Sequence, residues 1–240
     1  MEIIQKILAK KADVTGGNPI TIAFFGDSVT QGCFELYKTG ENSFETEFRV
    51  EDGYHTRLRE YLQILYPSVP INMIFAGISG DNASSGLARV ERDICAFHPD
   101  LTVFCFGLND CCCGLERLQE YKDSIRGIID ALKGCGTEII FMTPNLMADS
   151  VSPEVTDAYI RKCYAEMIAV SNETLETFVQ AAKEVCRESG VTVCDCYAAW
   201  KRLKDNGADV VRLLSNRINH PTREMHRLFA VMLLDTILGK

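Results

Sequence analysis

No apolar run in the 240 residues approaches the roughly 18 that a membrane-spanning helix needs. That absence speaks against a place in the bilayer. Positive charge is also in short supply, with 25 Lys and Arg against 33 Asp and Glu and a formal net charge of -8. Such a balance argues against nucleic acid or an anionic membrane as the main partner. Met1 to Lys11 mixes Glu2, Lys6, Lys10 and Lys11 with short apolar pairs, and lacks the apolar core and small-residue cleavage site of a secretory signal. Neither Gly-x-x-x-x-Gly-Lys nor Gly-x-Gly-x-x-Gly follows the first apolar run, which counts against a phosphate or nucleotide binder there. The Cys111-Cys112-Cys113 run and the Cys194/Cys196 pair lack Cys-x-x-Cys spacing, so neither a zinc site nor another cofactor is expected. Histidine is scarce: 4 residues supply every candidate for a general base.

What remains is an ordinary globular composition, 47% hydrophobic and 24% charged, able to bury a large core. Nothing marks a linker or a repeat, so residues 1–240 are expected to form one domain. Eleven cysteines without an export signal predict free thiols, a reducing compartment and a cytoplasmic protein.

Strand-like and helix-like segments alternate. Apolar, β-branched runs at Ile20 to Phe25, Ile71 to Ala76, Leu101 to Phe106, Thr137 to Thr143 and Val191 to Cys196 predict five strands. Helical spacing marks Tyr54 to Leu65, Leu87 to Phe97, Leu115 to Leu132, about Pro153 to Ser189, and about Pro221 to Leu238. Gly32 to Asp52 reads as irregular, a wall for a site or a dimer contact. Continuous apolar strands between amphipathic helices predict an α/β fold, a parallel sheet covered on both faces.

Polar sequences cluster where such strands end, which is where parallel sheets bind ligands. The first strand ends in Gly26-Asp27-Ser28, the second in Gly77-Ile78-Ser79-Gly80-Asp81-Asn82, and the third in Gly107-Leu108-Asn109-Asp110. Before the last helix stands Asn219-His220-Pro221. Acyl transfer needs a nucleophile, a base, and donors aimed at a developing oxyanion. Ser28, His220, the Gly80 N–H and the Asn109 amide could supply them. Of the other histidines, His55 reads as a surface residue of the first amphipathic helix. His98 precedes the third strand, at the wrong end of the sheet, and His226 lies inside the last helix.

With these four blocks in this order, the chain resembles the SGNH (GDSL-type) hydrolases. The resemblance implies a three-layer sandwich with a five-stranded parallel, flavodoxin-like sheet, and an esterase, lipase or carbohydrate-deacetylase activity without a metal. It also implies roles: Ser28 as nucleophile, His220 as base, and the Ser28 N–H, Gly80 N–H and Asn109 amide as oxyanion hole. The expected substrate is a small-molecule ester, an O-acetyl group on a carbohydrate among the candidates, cleaved through an acyl-enzyme on Ser28.

One position departs from that pattern. The family usually has an aspartate three residues before the histidine, and here Arg217 stands there. Arginine cannot accept the ring N–H. Asn216, Asn219, a backbone carbonyl or Asp195 at the end of the fifth strand are the candidates to orient His220. The departure also motivates an alternative, a catalytically weakened ligand-binding protein on the same fold.

Overall fold

The computed structural model describes residues 1–41 and 43–239. In chain order come α1 (Glu2–Ala12), β1 (Ile20–Gly26), the single turn α2 (Ser28–Gln31), β2 (Cys33–Gly40), β3 (Ser43–Phe48), α3 (Tyr54–Leu65), β4 (Ile71–Gly77) and α4 (Ala83–Asp93). Then follow β5 (Leu101–Cys105), α5 (Leu108–Cys111), α6 (Leu118–Gly134), β6 (Glu138–Met142), α7 (Ala158–Glu188), β7 (Thr192–Cys194), α8 (Cys196–Asp205) and α9 (Arg223–Leu238).

Strands β4, β1, β5, β6 and β7 lie side by side in that order, all parallel. This is the flavodoxin-like order. Successive strands leave β1 in opposite directions, β4 to one side and β5 to the other, so a crevice opens at their carboxyl ends. Both faces of β1 are covered, which is why its sequence shows no polar alternation. Phe24 meets Tyr54 of α3 edge-on at 5.7 Å, while the guanidinium of Arg89 from α4 lies 4.5 Å from the ring centre of Phe25. Neighbouring side chains of one strand thus serve opposite helical layers. Helix α9 packs on α1 and α3, and α6 packs on α4 and α7.

Several elements differ from the sequence expectation. The Gly32 to Asp52 stretch, irregular by its sequence, contains an antiparallel hairpin, β2 against β3, whose register is broken between Cys33 and Leu36 and again between Lys38 and Gly40. Those breaks and its exposed polar residues hide the period-two pattern. Helix α1 buries Ile3 and Ile7, one turn apart. Helix α9 begins at Arg223 with Thr222 as its cap, and Pro221 instead bridges to Leu214. No helix among the described residues is long and apolar enough to cross a membrane.

Candidate active site

Strand β1 delivers Ser28 to the crevice through a turn built on close approach. A Cβ at Gly77, paired with Gly26 across the strands, would collide with the backbone N of Gln31. Only glycine lets α2 lie directly against β4. Asp27 caps α2, its Oδ1 accepting the Val29 N–H at 3.0 Å, and Gly32 closes the turn in the left-handed region at φ 84. Ser28, 3% exposed, is the first residue of α2, and its Oγ lies 3.0 Å from His220 Nε2.

His220 comes from the loop before α9. Asn216 shapes that loop: its Oδ1 accepts the backbone N–H groups of Ile218, Asn219 and His220 at 3.1, 3.0 and 2.9 Å. Its Nδ2 donates to Asn219 Oδ1 at 2.8 Å, and Asn145, after β6, donates to the Asn219 carbonyl at 2.9 Å. Asn216 and Asn219 therefore hold the backbone of the loop, with these bonds directed away from the His220 ring.

The ring is oriented by a backbone carbonyl. His220 Nδ1 lies 3.0 Å from the Phe34 oxygen on β2. A carbonyl only accepts, so Nδ1 carries the proton, and in the neutral ring Nε2 is left as the acceptor facing Ser28 Oγ. Burial holds the imidazole below its ordinary pKa, opposed by the Phe34 hydrogen bond and the Glu35 charge. The depression comes from desolvation rather than from a helix terminus, since α9 starts three residues later. The arrangement can pass a proton from Oγ to Nε2 and return it to a leaving group.

Asp195 does not reach the ring. Its carboxylate takes Lys183 Nζ at 2.5 Å, Thr143 Oγ1 at 3.2 Å and the Ala198 N–H at 3.2 Å, capping α8. Its place at a strand end suits the role, but its lateral distance from the nucleophile's strand does not. Strand β7 is three spacings from β1, about 14 Å. Arg217 is turned outward as well: at φ 64 its guanidinium meets Glu154 Oε2 at 2.8 Å and the Leu214 carbonyl at 2.9 Å.

On the other flank, Gly80 adopts φ 79 with open space where a Cβ would point, and Asn109 Nδ2 donates to the Asp81 carbonyl at 2.7 Å. Asn109 thereby ties the end of β5 to the glycine block after β4 and keeps a second amide hydrogen. Arg89 braces the same region from below. It bonds Asp81 at 2.7 Å and the carbonyls of Gly26 and Ala76 at 3.0 and 2.9 Å. The sequence carried a signal for it: Arg89 shares a helical stripe with Ala83, Gly86 and Val90, a charge on the buried face. His55 was expected at the surface but is buried, its Nε2 3.1 Å from the Thr30 carbonyl, and desolvation lowers its pKa to about 4. Cys111 is buried and Cys113 exposed, with the Cys111 and Cys112 thiols directed at the Leu108 carbonyl. Among the described residues no group of three or more His, Cys, Asp or Glu side chains is placed to hold a metal ion.

Asp27 carries a consequence for stability. Its Oδ2 is buried without a partner among the described residues, and desolvation, helped by Asp110 and Asp81, raises its pKa from 3.8 to about 7. The folded state then holds a proton that the unfolded state has released, so stability falls as pH rises from about 4 to about 7. Asp27→Asn keeps the acceptor for Val29 and removes the charge. We expect it to flatten this part of the profile and to add a few kcal/mol at pH 8, at roughly 1.4 kcal/mol per pKa unit. Urea unfolding at pH 5 and pH 8 measures it; an unchanged pH slope in the variant would clear Asp27 of the effect.

The family model described as GDSL-like Lipase/Acylhydrolase family matches residues 24–228. An acetylxylan esterase of Geobacillus stearothermophilus is 31% identical over 196 residues, covering 78% of this chain and 80% of that protein. A GDSL esterase/lipase, CPRD49, of Arabidopsis thaliana is 28% identical over 149 residues, covering 56% of this chain and 55% of its own length. Among solved structures, Axe2, an acetylxylan esterase from Geobacillus stearothermophilus, superposes with a TM-score of 0.67 at 23% identity, covering 93% of this chain and 96% of the other. A two-domain esterase active on acetylated mannans gives 0.69 at 17% identity, covering 98% of this chain and 52% of its own.

Proposed function

The chain belongs to the GDSL-like lipase/acylhydrolase family and is a carboxylic-ester hydrolase, and we propose that it removes O-acetyl groups from a carbohydrate through an acyl-enzyme on Ser28. The observation that carries this reading is the relay from Ser28 Oγ to His220 Nε2 at 3.0 Å and from Nδ1 to the Phe34 carbonyl at 3.0 Å. Ser28 Oγ attacks the ester carbonyl as His220 takes its proton. The Ser28 N–H, Gly80 N–H and Asn109 amide receive the oxyanion. The intermediate collapses, the bond from the acyl carbon to the sugar oxygen breaks as His220 gives that oxygen its proton, and the sugar leaves as a free hydroxyl with the acetyl group on Ser28. Water, activated by the same Nε2, then releases acetate and restores the serine.

The carbohydrate half of the proposal rests on the acetylxylan esterase relative and on a cavity of about 490 Å³ beside the histidine loop. Its wall includes Leu36, Phe44, Thr156, Tyr164 and Ser215. Its charged residues are paired: Lys38 with Asp157 at 3.0 Å, Arg217 with Glu154 at 2.8 Å, and Glu35 with Arg223 at 2.5 Å. Paired charges, hydroxyls and an aromatic surface suit a neutral, polyhydroxylated ligand. The eleven unpaired cysteines support a reducing, cytoplasmic setting.

Labelling of Ser28 by a fluorophosphonate separates a working hydrolase from a binding protein on the same fold, which would not label. Acetate release from acetylated xylooligosaccharides, set against nitrophenyl esters of rising chain length, tests the substrate class; preference for long acyl chains would overturn the acetyl reading. Phe44→Ala is expected to raise KM for the acetylated oligosaccharide about 3- to 10-fold, the value of one aromatic contact, with a smaller change on nitrophenyl acetate. Equal effects on both substrates would remove the cavity from the account.

A further inference from the structure

A carbonyl that replaces a carboxylate must be held still. A carboxylate offers two oxygens and a full charge, whereas a peptide oxygen offers one direction set by the plane of its peptide. The Phe34 oxygen belongs to the peptide joining Phe34 to Glu35, so whatever grips those two side chains sets where the oxygen points. One residue grips both. The Arg223 guanidinium lies 4.5 Å from the centre of the Phe34 ring, and its two terminal nitrogens meet the two Glu35 oxygens at 2.5 and 3.1 Å. Its Nε reaches Asp52 Oδ2 at 3.3 Å, tying the pair to the helical turn that follows β3. From beneath, the Phe34 ring is fully buried against His226, with centroids 4.9 Å apart. Arg223 stands three residues after His220, so the segment that delivers the base also delivers the clamp on its partner.

We propose that Arg223 and Glu35 are positioning residues that lock the Phe34–Glu35 peptide plane, so that the Phe34 carbonyl does the orienting work of the missing carboxylate. This inference rests on the Ser28–His220 reading above. A forked ion pair with a stacked ring defines orientation as well as distance, which a lysine cannot reproduce. The pair also brings a carboxylate whose charge favours protonated His220. The other groups facing the ring do not supply that charge. Ser28, on α2, is neutral; His226, on α9, is held neutral by burial; Arg217, on the same loop, is turned out to Glu154. Asp27, which caps α2 beside Ser28, is the same in every variant below and cancels from their differences.

The experiment compares Glu35→Gln, Arg223→Met, Arg223→Lys and the double variant E35Q/R223M, using nitrophenyl acetate. Each single change is expected to lower kcat about 10- to 100-fold, the scale of a catalytic group displaced by about 1 Å, with KM little altered. The double change should cost no more than the worse single, because the two act as one clamp. Arg223→Lys should recover only part of the loss. Glu35→Gln should also move the acid limb of the rate profile to lower pH, since a charge that favours protonated His220 is gone. Imidazole nitrogen NMR gives a readout free of activity: the native ring should appear as the single Nδ1–H tautomer, and Arg223→Met should give a mixture. Folded variants that keep native kcat, acid limb and tautomer would overturn the proposal. Additive losses without a tautomer change would also overturn it, by assigning the pair a merely structural role. A native protein that neither labels with a fluorophosphonate nor cleaves the ester would instead defeat the underlying hydrolase reading, which keeps the two failures apart.

Discussion

Ser28→Ala and His220→Ala are each expected to lower ester hydrolysis by roughly 10⁴–10⁶-fold, and the double variant to be no worse than either. In the proposed mechanism the relay works as a unit: without the nucleophile the base has nothing to deprotonate, and without the base the serine keeps its proton. What survives is the contribution of binding and of the oxyanion donors. Neither change should unfold the protein. Ser28 Oγ has its bond in the crevice with His220, and the α2 cap is made by the preceding Asp27. The His220 loop is held by Asn216, Asn145 and Tyr164, and none of these bonds uses the imidazole. Steady-state rates with circular dichroism on the same samples check both halves. Costs that multiply in the double variant, or a folded Ser28→Ala protein with full activity, would show that the two residues do not form one relay.

The parts of the fold that could be read in the sequence are those where burial is complete. β1, β5 and β6 are covered on both faces and appear as apolar runs; β1 leads into Ser28, 3.0 Å from His220 Nε2, while Asn109 follows β5 and Gly80 follows the edge strand β4. The hairpin β2/β3 escaped because its alternation is interrupted by register breaks and its outer face is polar. That omission hid the partner of His220. Every residue owns a carbonyl, so nothing in the identity of Phe34 marks its oxygen as the acceptor, and only the fold brings it within 3.0 Å of a ring 186 residues away. Asp195 failed for the complementary reason: its residue type and its place at a strand end were suitable, but the order of the strands put it at the far edge of the sheet. His55 looked like a surface residue because helical periodicity does not reveal a neutral imidazole satisfied by a carbonyl in the core.

Asn109→Ala is expected to lower kcat by roughly 10²–10³-fold, the cost of one oxyanion donor, while KM moves far less. The amide has two hydrogens and the structure engages one of them with the Asp81 carbonyl at 2.7 Å. That bond fixes the direction of the remaining hydrogen before substrate arrives, so little reorganisation is needed when negative charge develops. Alanine removes both functions at once: the donor is lost, and Asp81, next to Gly80, loses its tie to β5. Asn109→Asp separates the two from simple truncation. A carboxylate has a similar shape, but it cannot donate to the Asp81 oxygen when ionised, and its charge opposes the oxyanion, so it should be at least as damaging as alanine. The buried face below already holds Asp27 and Asp110 above their ordinary carboxylate pKa by desolvation, at about 7 and about 6. A further carboxylate here is expected to be more damaging at pH 8 than at pH 6, as the local negative charge grows with pH. Rates of nitrophenyl acetate hydrolysis across that range provide the measurement. A variant whose kcat stays native while KM climbs would move Asn109 from the oxyanion to substrate recognition, and an Asn109→Asp protein more active than Asn109→Ala would refute the donor role.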